Sequence, residues 1–130
     1  VPFFDKVQNY INLKWSEFNS NNHVLTDIYN RRITVSNNKD MNKNKLFNYL
    51  IQAFETERNI KRILITQDYL KQKETNLVLY GYDSFLFDFS KNDGVNTLKE
   101  IKNILEDDDY PTKIKMGYTY SNINDITKRL

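Results

Sequence analysis

The sequence predicts an α+β fold, with antiparallel β-hairpins packed against helices in the order α-ββ-α-ββ-α-β-α. Three observations carry this. Apolar residues recur at intervals of three and four along three stretches, as they do on the buried face of a helix. Between those stretches lie paired β-prone runs joined by turn-forming residues. Helices and antiparallel hairpins in succession place helices on one face of a sheet. No internal repeat or domain boundary is visible, so a single domain over residues 1–130 is expected.

The elements follow in order. Phe4, Val7, Ile11, Trp15 and Phe18 mark one face of a helix over about residues 4–19, which the run Asn19-Ser20-Asn21-Asn22 ends. His23 to Thr26 and Arg31 to Val35 read as a short hairpin that turns at Tyr29-Asn30, since Asn tolerates positive φ. Residues 36–45 read as a polar loop. The longest helical pattern spans about residues 43–71, with Phe47, Leu50, Ile51 and Phe54 on one face, continued by Ile60, Ile63, Leu64 and Leu70. Its rhythm slips near Glu57.

Leu77 to Tyr80 and Phe85 to Phe89 are the strongest strand candidates, with Gly81-Tyr82-Asp83-Ser84 as their turn. Both runs are apolar almost throughout, which reads as burial on both faces. Asn92-Asp93-Gly94 precedes a helix with Val95, Leu98, Ile101 and Leu105 on one face, closed by Asp107-Asp108-Asp109. Residues 112–118 alternate as an exposed-face strand does. A short helix is expected from Ser121 onward.

Composition narrows the chemistry. Some 39% of the 130 residues are apolar, including eight Phe and nine Tyr, so a real core is possible. There is no Cys and one His, which excludes thiol catalysis, disulfides and thiolate or His-rich zinc sites. Neither a nucleophile elbow nor a phosphate-binding glycine loop occurs. No apolar run approaches the roughly 18 residues of a membrane span. With 19 basic and 17 acidic residues the net charge is +2, too balanced to mark a nucleic-acid binder by itself. The chain opens Val1-Pro2-Phe3 with no signal peptide, and reads as a processed chain or an excerpt.

Three features could carry function. Asp83 would project a carboxylate from a rigid hairpin tip, and magnesium is held by one or two carboxylates plus substrate phosphates. Asp is also a common turn former. Asn48, Gln52, Glu55 and Asn59 fall at intervals of four, three and four on one helix face. Amides a turn apart suit the minor-groove edges of a duplex, as they also suit solvent. Arg31 and Arg32, with Lys39, Lys43 and Lys45 nearby, could hold phosphates. His23 has no companion and is given no role.

Three segments resemble, in order and approximate spacing, the C-terminal part of family A DNA polymerases. Val24 to Arg32 is similar to the family's Y-V-x-T-x-x-G-R-R hairpin, with Asn30 where Gly is usual. Asn48-Tyr49-Leu50-Ile51-Gln52, followed by Glu57, resembles N-x-P-I-Q-G-x-A-A-D, with Leu50 for Pro and Ala53 for Gly. Tyr82 to Asp88 resembles the motif C segment H-D-E-L-x-F-E, and Met116 to Tyr120 the terminal G-x-x-W stretch. The similarity covers about residues 7–120.

The resemblance implies a nucleotidyltransferase of DNA replication that takes primer-template DNA and dNTP. Asp83 would be one of two aspartates binding magnesium in a two-metal site. Asn48 and Gln52 would touch the primer-template, Arg31 and Arg32 its backbone, and Tyr82 and Ser84, also expected to contact nucleic acid, would stand where a histidine and an acid are usual. The other metal-binding aspartate and the nucleotide-binding helix lie upstream of the matched part in this family. The remaining polymerase segment, upstream or on a separate chain, is therefore an expected partner, and the 130 residues alone are expected to be inactive. The implied setting is the cytoplasm of a bacterial or phage-infected cell. Two other readings stand beside this one: a non-catalytic nucleic-acid-binding module, and a small α+β interaction domain.

Overall fold

Pro2 opens the first helix, where its missing N–H costs nothing and its fixed φ is already helical. In the computed structural model, which describes residues 2–34, 40–81, 83–106 and 110–130, this helix α1 spans Pro2–Asn21. It stops where Asn22 takes φ 61° and returns its N–H to the Phe18 carbonyl at 2.7 Å. The rest of the chain is likewise mixed helix and antiparallel hairpin, an α+β fold. Strands β1 (Val24–Leu25) and β2 (Arg32–Ile33) pair antiparallel. Helix α2 runs Lys43–Leu70. Asn42 caps it through a 2.9 Å bond from the Lys45 N–H to its side-chain oxygen. Strands β3 (Asn76–Gly81) and β4 (Ser84–Asp88) form the second hairpin. A 3-10 turn at Lys91–Asp93 leads into α3 (Gly94–Leu105). Strands β5 (Lys115–Thr119) and β6 (Asn122–Asp125) form the third, and a 3-10 turn at Thr127–Arg129 follows.

Two expectations are corrected here. The tail does not turn helical at Ser121: residues 122–125 first pair back on β5 as an additional strand, and only Thr127–Arg129 form a short 3-10 turn. Asn and Asp are poor strand formers, so it is the pairing that makes this segment a strand, and Gly117 permits the close approach. A Cβ on Gly117 would run into the carbonyl oxygen of Asn122. The hairpins also do not merge into one layer; among the described residues each sheet has two strands.

The chain divides into two compact units, residues 1–59 and 60–130, with the division inside α2. In the first unit Phe18, Val24, Met41, Leu46 and Leu50 are buried together, with Tyr10, Trp15 and Ile33 against them. Trp15 stacks on Phe18 with centroids 6.0 Å apart. The α1 face is the one its spacing indicates, except that Phe4 is exposed. On α2 the buried stripe is Leu46, Leu50 and Glu57, with Ile51 and Phe54 turned outward. In the second unit Leu70, Ile101 and Leu105 form the core, covered by Tyr69, Phe85 and Phe87. Thr66 and Thr97 are fully buried on the packed faces of α2 and α3. Val95, placed on the apolar face of α3 by its spacing, is exposed. Asp107, Asp108 and Asp109 lie outside the described residues. Among the described residues no helix is long and apolar enough to cross a membrane.

Candidate nucleic-acid interface

The connection from β1 to β2 is built around one hydroxyl. Thr26 is buried, and its backbone N–H bonds the Arg31 carbonyl at 2.8 Å. Its Oγ1 accepts from the Arg31 N–H at 2.9 Å, and its carbonyl accepts from the Asn30 N–H at 3.0 Å. Closing the turn this tightly requires Asn30 at φ 53°, the left-handed region that Asn enters at low cost. Asp27, on the outer side, accepts from the Tyr10 hydroxyl at 2.8 Å and lies 3.6 Å from Lys14 Nζ. Burial first, and then the Asp27 carboxylate, push the Tyr10 phenol far above its ordinary range.

Glu57 reaches this turn from α2. Its carboxylate, 1% exposed, takes three bonds. Oε1 accepts from Thr26 Oγ1 at 2.6 Å and from Arg31 Nε at 2.8 Å; Oε2 accepts from the Tyr29 N–H at 3.2 Å. Burial alone would raise the Glu57 pKa, but the bonds from Thr26, Arg31 and Tyr29 outweigh it and hold the carboxyl below its usual range. The Arg31 side chain stays 60% exposed while held at Nε. A guanidinium has five N–H donors, so its remaining donors are available to a second anion.

Arg32 is exposed on β2 beside it, paired in register with Leu25. Asn48 and Gln52 are exposed one turn apart on α2, as their spacing requires. Glu55 is exposed on the same helix, and Asn59 is half-buried and accepts from Arg58 at 3.4 Å. Lys43 and Lys45 are engaged at home, bonding Asn12 Oδ1 and the Asp40 carbonyl, each at 3.0 Å. Lys39 lies outside the described residues. Arg31, Arg32, Asn48 and Gln52 thus all belong to the first unit.

Asp83 and Ser84 belong to the second unit. Gly81 pairs with Ser84, so residues 82–83 alone join β3 to β4. Asp83 is exposed at that tip. Ser84 is spent inside the turn, its hydroxyl donating to the Gly81 carbonyl at 3.1 Å. Tyr82 lies outside the described residues. Behind the tip Tyr80 stacks on its cross-strand partner Phe85, centroids 5.3 Å apart.

The expected burial of this hairpin on both faces is overturned. Val78 is 55% and Leu79 60% exposed. The reason is the strand count: β3 and β4 pair only with each other among the described residues. One face is covered, where Phe85 and Phe87 pack on Leu70, Ile101 and Leu105. A register shift between Leu77 and Leu79 adds to the exposure by making Val78 a bulge.

The hairpin's base is fixed by Asp93. Its carboxylate accepts from the Thr75 N–H at 2.7 Å, Thr75 Oγ1 at 2.6 Å and the Glu74 N–H at 3.2 Å. The Thr75 hydroxyl bond, ahead of a smaller opposing effect of burial, holds the Asp93 carboxyl below its ordinary value. Asp93 stands at the N-cap of α3 yet makes no side-chain cap, because both oxygens are committed to β3.

Among the described residues no three Asp, Glu or His converge to hold a metal ion. Asp83 offers one hard, exposed oxygen ligand on a short turn, which fits a shared magnesium site and does not complete one. Comparison of the chain with family models, with characterised proteins and with solved structures gives no match.

Proposed function

We propose that this chain is the C-terminal palm-side part of a family A DNA polymerase, contributing primer-template contacts and one metal-binding aspartate. The observation that carries this is the closure of two matched segments on each other. Thr26 and Arg31 come from the segment similar to the Arg-Arg hairpin, and Glu57 from the segment similar to the N-x-P-I-Q helix. Glu57 stands where that second motif has its acid, and its carboxylate holds both Thr26 and Arg31. An accidental likeness gives no reason for two such positions to meet. The third matched segment adds an exposed Asp83 on a two-residue hairpin turn.

In this reading Arg31 and Arg32 meet backbone phosphates, and Asn48 and Gln52 meet base and sugar edges in the minor groove. Ser84, next to Asp83, would add no carboxylate to the metal site, and its hydroxyl is turned back to the Gly81 carbonyl. Asp83 would hold magnesium together with an aspartate of the remaining polymerase segment. The bound metals would supply charge stabilisation for nucleotidyl transfer between primer and dNTP. The exposed Val78 and Leu79 fit a hairpin that packs against that remaining segment. A cytoplasmic setting accompanies the activity.

The test has two arms. The 130-residue chain should bind primer-template DNA with an affinity that falls steeply as salt rises, and should not extend the primer. In the complete enzyme Asp83→Asn should abolish extension, by roughly a thousandfold or more, and leave DNA affinity within about twofold. Binding without any effect of Asp83→Asn on extension would leave a non-catalytic nucleic-acid module. No binding at low salt would leave an interaction domain unrelated to DNA.

A further inference from the structure

The Glu57 carboxylate poses a question that packing does not answer. A buried acid in the stripe formed by Leu46 and Leu50 is costly, and an apolar residue there would fill the same space. What the acid provides is a fixed bearing for one exposed cation. Arg31 is gripped at Nε, at 2.8 Å, by the same oxygen that Thr26 Oγ1 holds at 2.6 Å. The backbone of the turn is held too, through Tyr29 and through the Arg31 N–H bond to Thr26. Both the main chain and the head group of Arg31 are therefore located, while its side chain remains 60% exposed. An unrestrained surface arginine samples many rotamers, and binding an anion costs it that freedom.

We infer that Glu57 is a positioning residue, which orients the Arg31 guanidinium so that its free edge receives a backbone phosphate of duplex DNA. This rests on the proposed nucleic-acid role of the first unit and adds the residue that makes the contact directional. It also explains why an acid lies buried beneath a surface meant for a polyanion. As a charge alone, Glu57 opposes DNA; as a clamp, it favours it.

That opposition sets the sign of the experiment. Binding of a short primer-template duplex to the full 130-residue chain is measured by anisotropy across a salt series, for wild type, Glu57→Gln, Arg31→Ala and the double variant. Circular dichroism checks folding of each. Arg31→Ala should weaken binding roughly tenfold and reduce the salt slope by about one ion. Glu57→Gln, although it makes the chain more positive, should also weaken binding several-fold, and should add nothing in the Arg31→Ala background.

Tighter binding by Glu57→Gln would overturn the inference, since it would show Glu57 acting as a charge only. So would a Glu57→Gln loss that adds fully to that of Arg31→Ala. An Arg31→Ala chain that binds like wild type would overturn it while leaving the wider reading intact. Failure of the wild-type chain to bind DNA at low salt would overturn both. Should Glu57→Gln not fold, Arg31→Lys decides. It keeps the charge but has no Nε for Glu57 to grip, so the inference requires a loss close to that of Arg31→Ala. Wild-type affinity in Arg31→Lys would overturn it.

Discussion

At the residue scale, Glu57 shows how one side chain can defeat a pattern and explain it. Its place on α2 breaks the apolar rhythm because the helix face that meets Leu46 and Leu50 continues through an acid. The sequence makes the slip visible. It does not reveal that Glu57 points inward, because its three donors come from a turn 26 to 31 residues away. Conversely, Asn30 at φ 53° is what its residue type suggests at a turn. The Glu57 bonds carry a pH signature. Its folded pKa lies below the ordinary 4.5, so the unfolded chain binds the proton more readily. The stability it contributes is complete above about 4.5 and is lost as pH falls through the folded value. Chemical denaturation of wild type and Glu57→Ala from pH 7 to 3 should show this. Glu57→Ala should cost about 1–3 kcal/mol at pH 7, by leaving buried donors unpaired, and the difference should shrink as the medium is acidified. A constant difference across the range would remove the linkage.

At the element scale, what local chemistry dictates was legible and what neighbours dictate was not. α1 and α2 begin and end within about two residues of where their patterns place them, because Asn runs and apolar spacing act locally. The exposure of Val78 and Leu79 was not legible, since an apolar run does not disclose how many strands stand beside it. Nor was the tail, where a short segment follows its pairing partner β5 rather than its own composition. Polar residues on packed faces, Thr66 and Thr97 as well as Glu57, blurred the helix faces in the same way. The functional candidates divide likewise: Asn48 and Gln52 were found by spacing, while the Glu57–Arg31 pair needed the fold. Between elements, Asp93 is the tie that holds the start of β3 to the start of α3. Asp93→Ala should free the Glu74 and Thr75 amides, and hydrogen exchange at these positions should accelerate while that of Leu50 in the first unit is unchanged. Unaltered protection of Thr75 would mean that the tie is dispensable.

At the scale of the whole molecule, the described residues hold two separate cores, and Arg31, Arg32, Asn48 and Gln52, expected to meet DNA, fall in the first unit while Asp83 lies in the second. On the proposed reading binding and catalysis would be separable by mutation, and Asp83→Asn and Arg31→Ala are expected to act on different measurements. With a net charge of only +2, the proposed affinity for DNA would have to rest on a few placed cations rather than on the field of the whole chain. The run from Leu77 to Tyr80 is β-prone and uncharged, contains no proline, and lies at the rim of a two-stranded sheet. Such a rim is a template for strand addition between copies, and aggregation is its usual outcome. Sedimentation should show the isolated chain associating as its concentration rises, and Val78→Lys, at a bulge where no register pair is broken, should suppress it. The bulge, which interrupts the regular pairing edge at Val78, would then act as a partial safeguard against such strand addition.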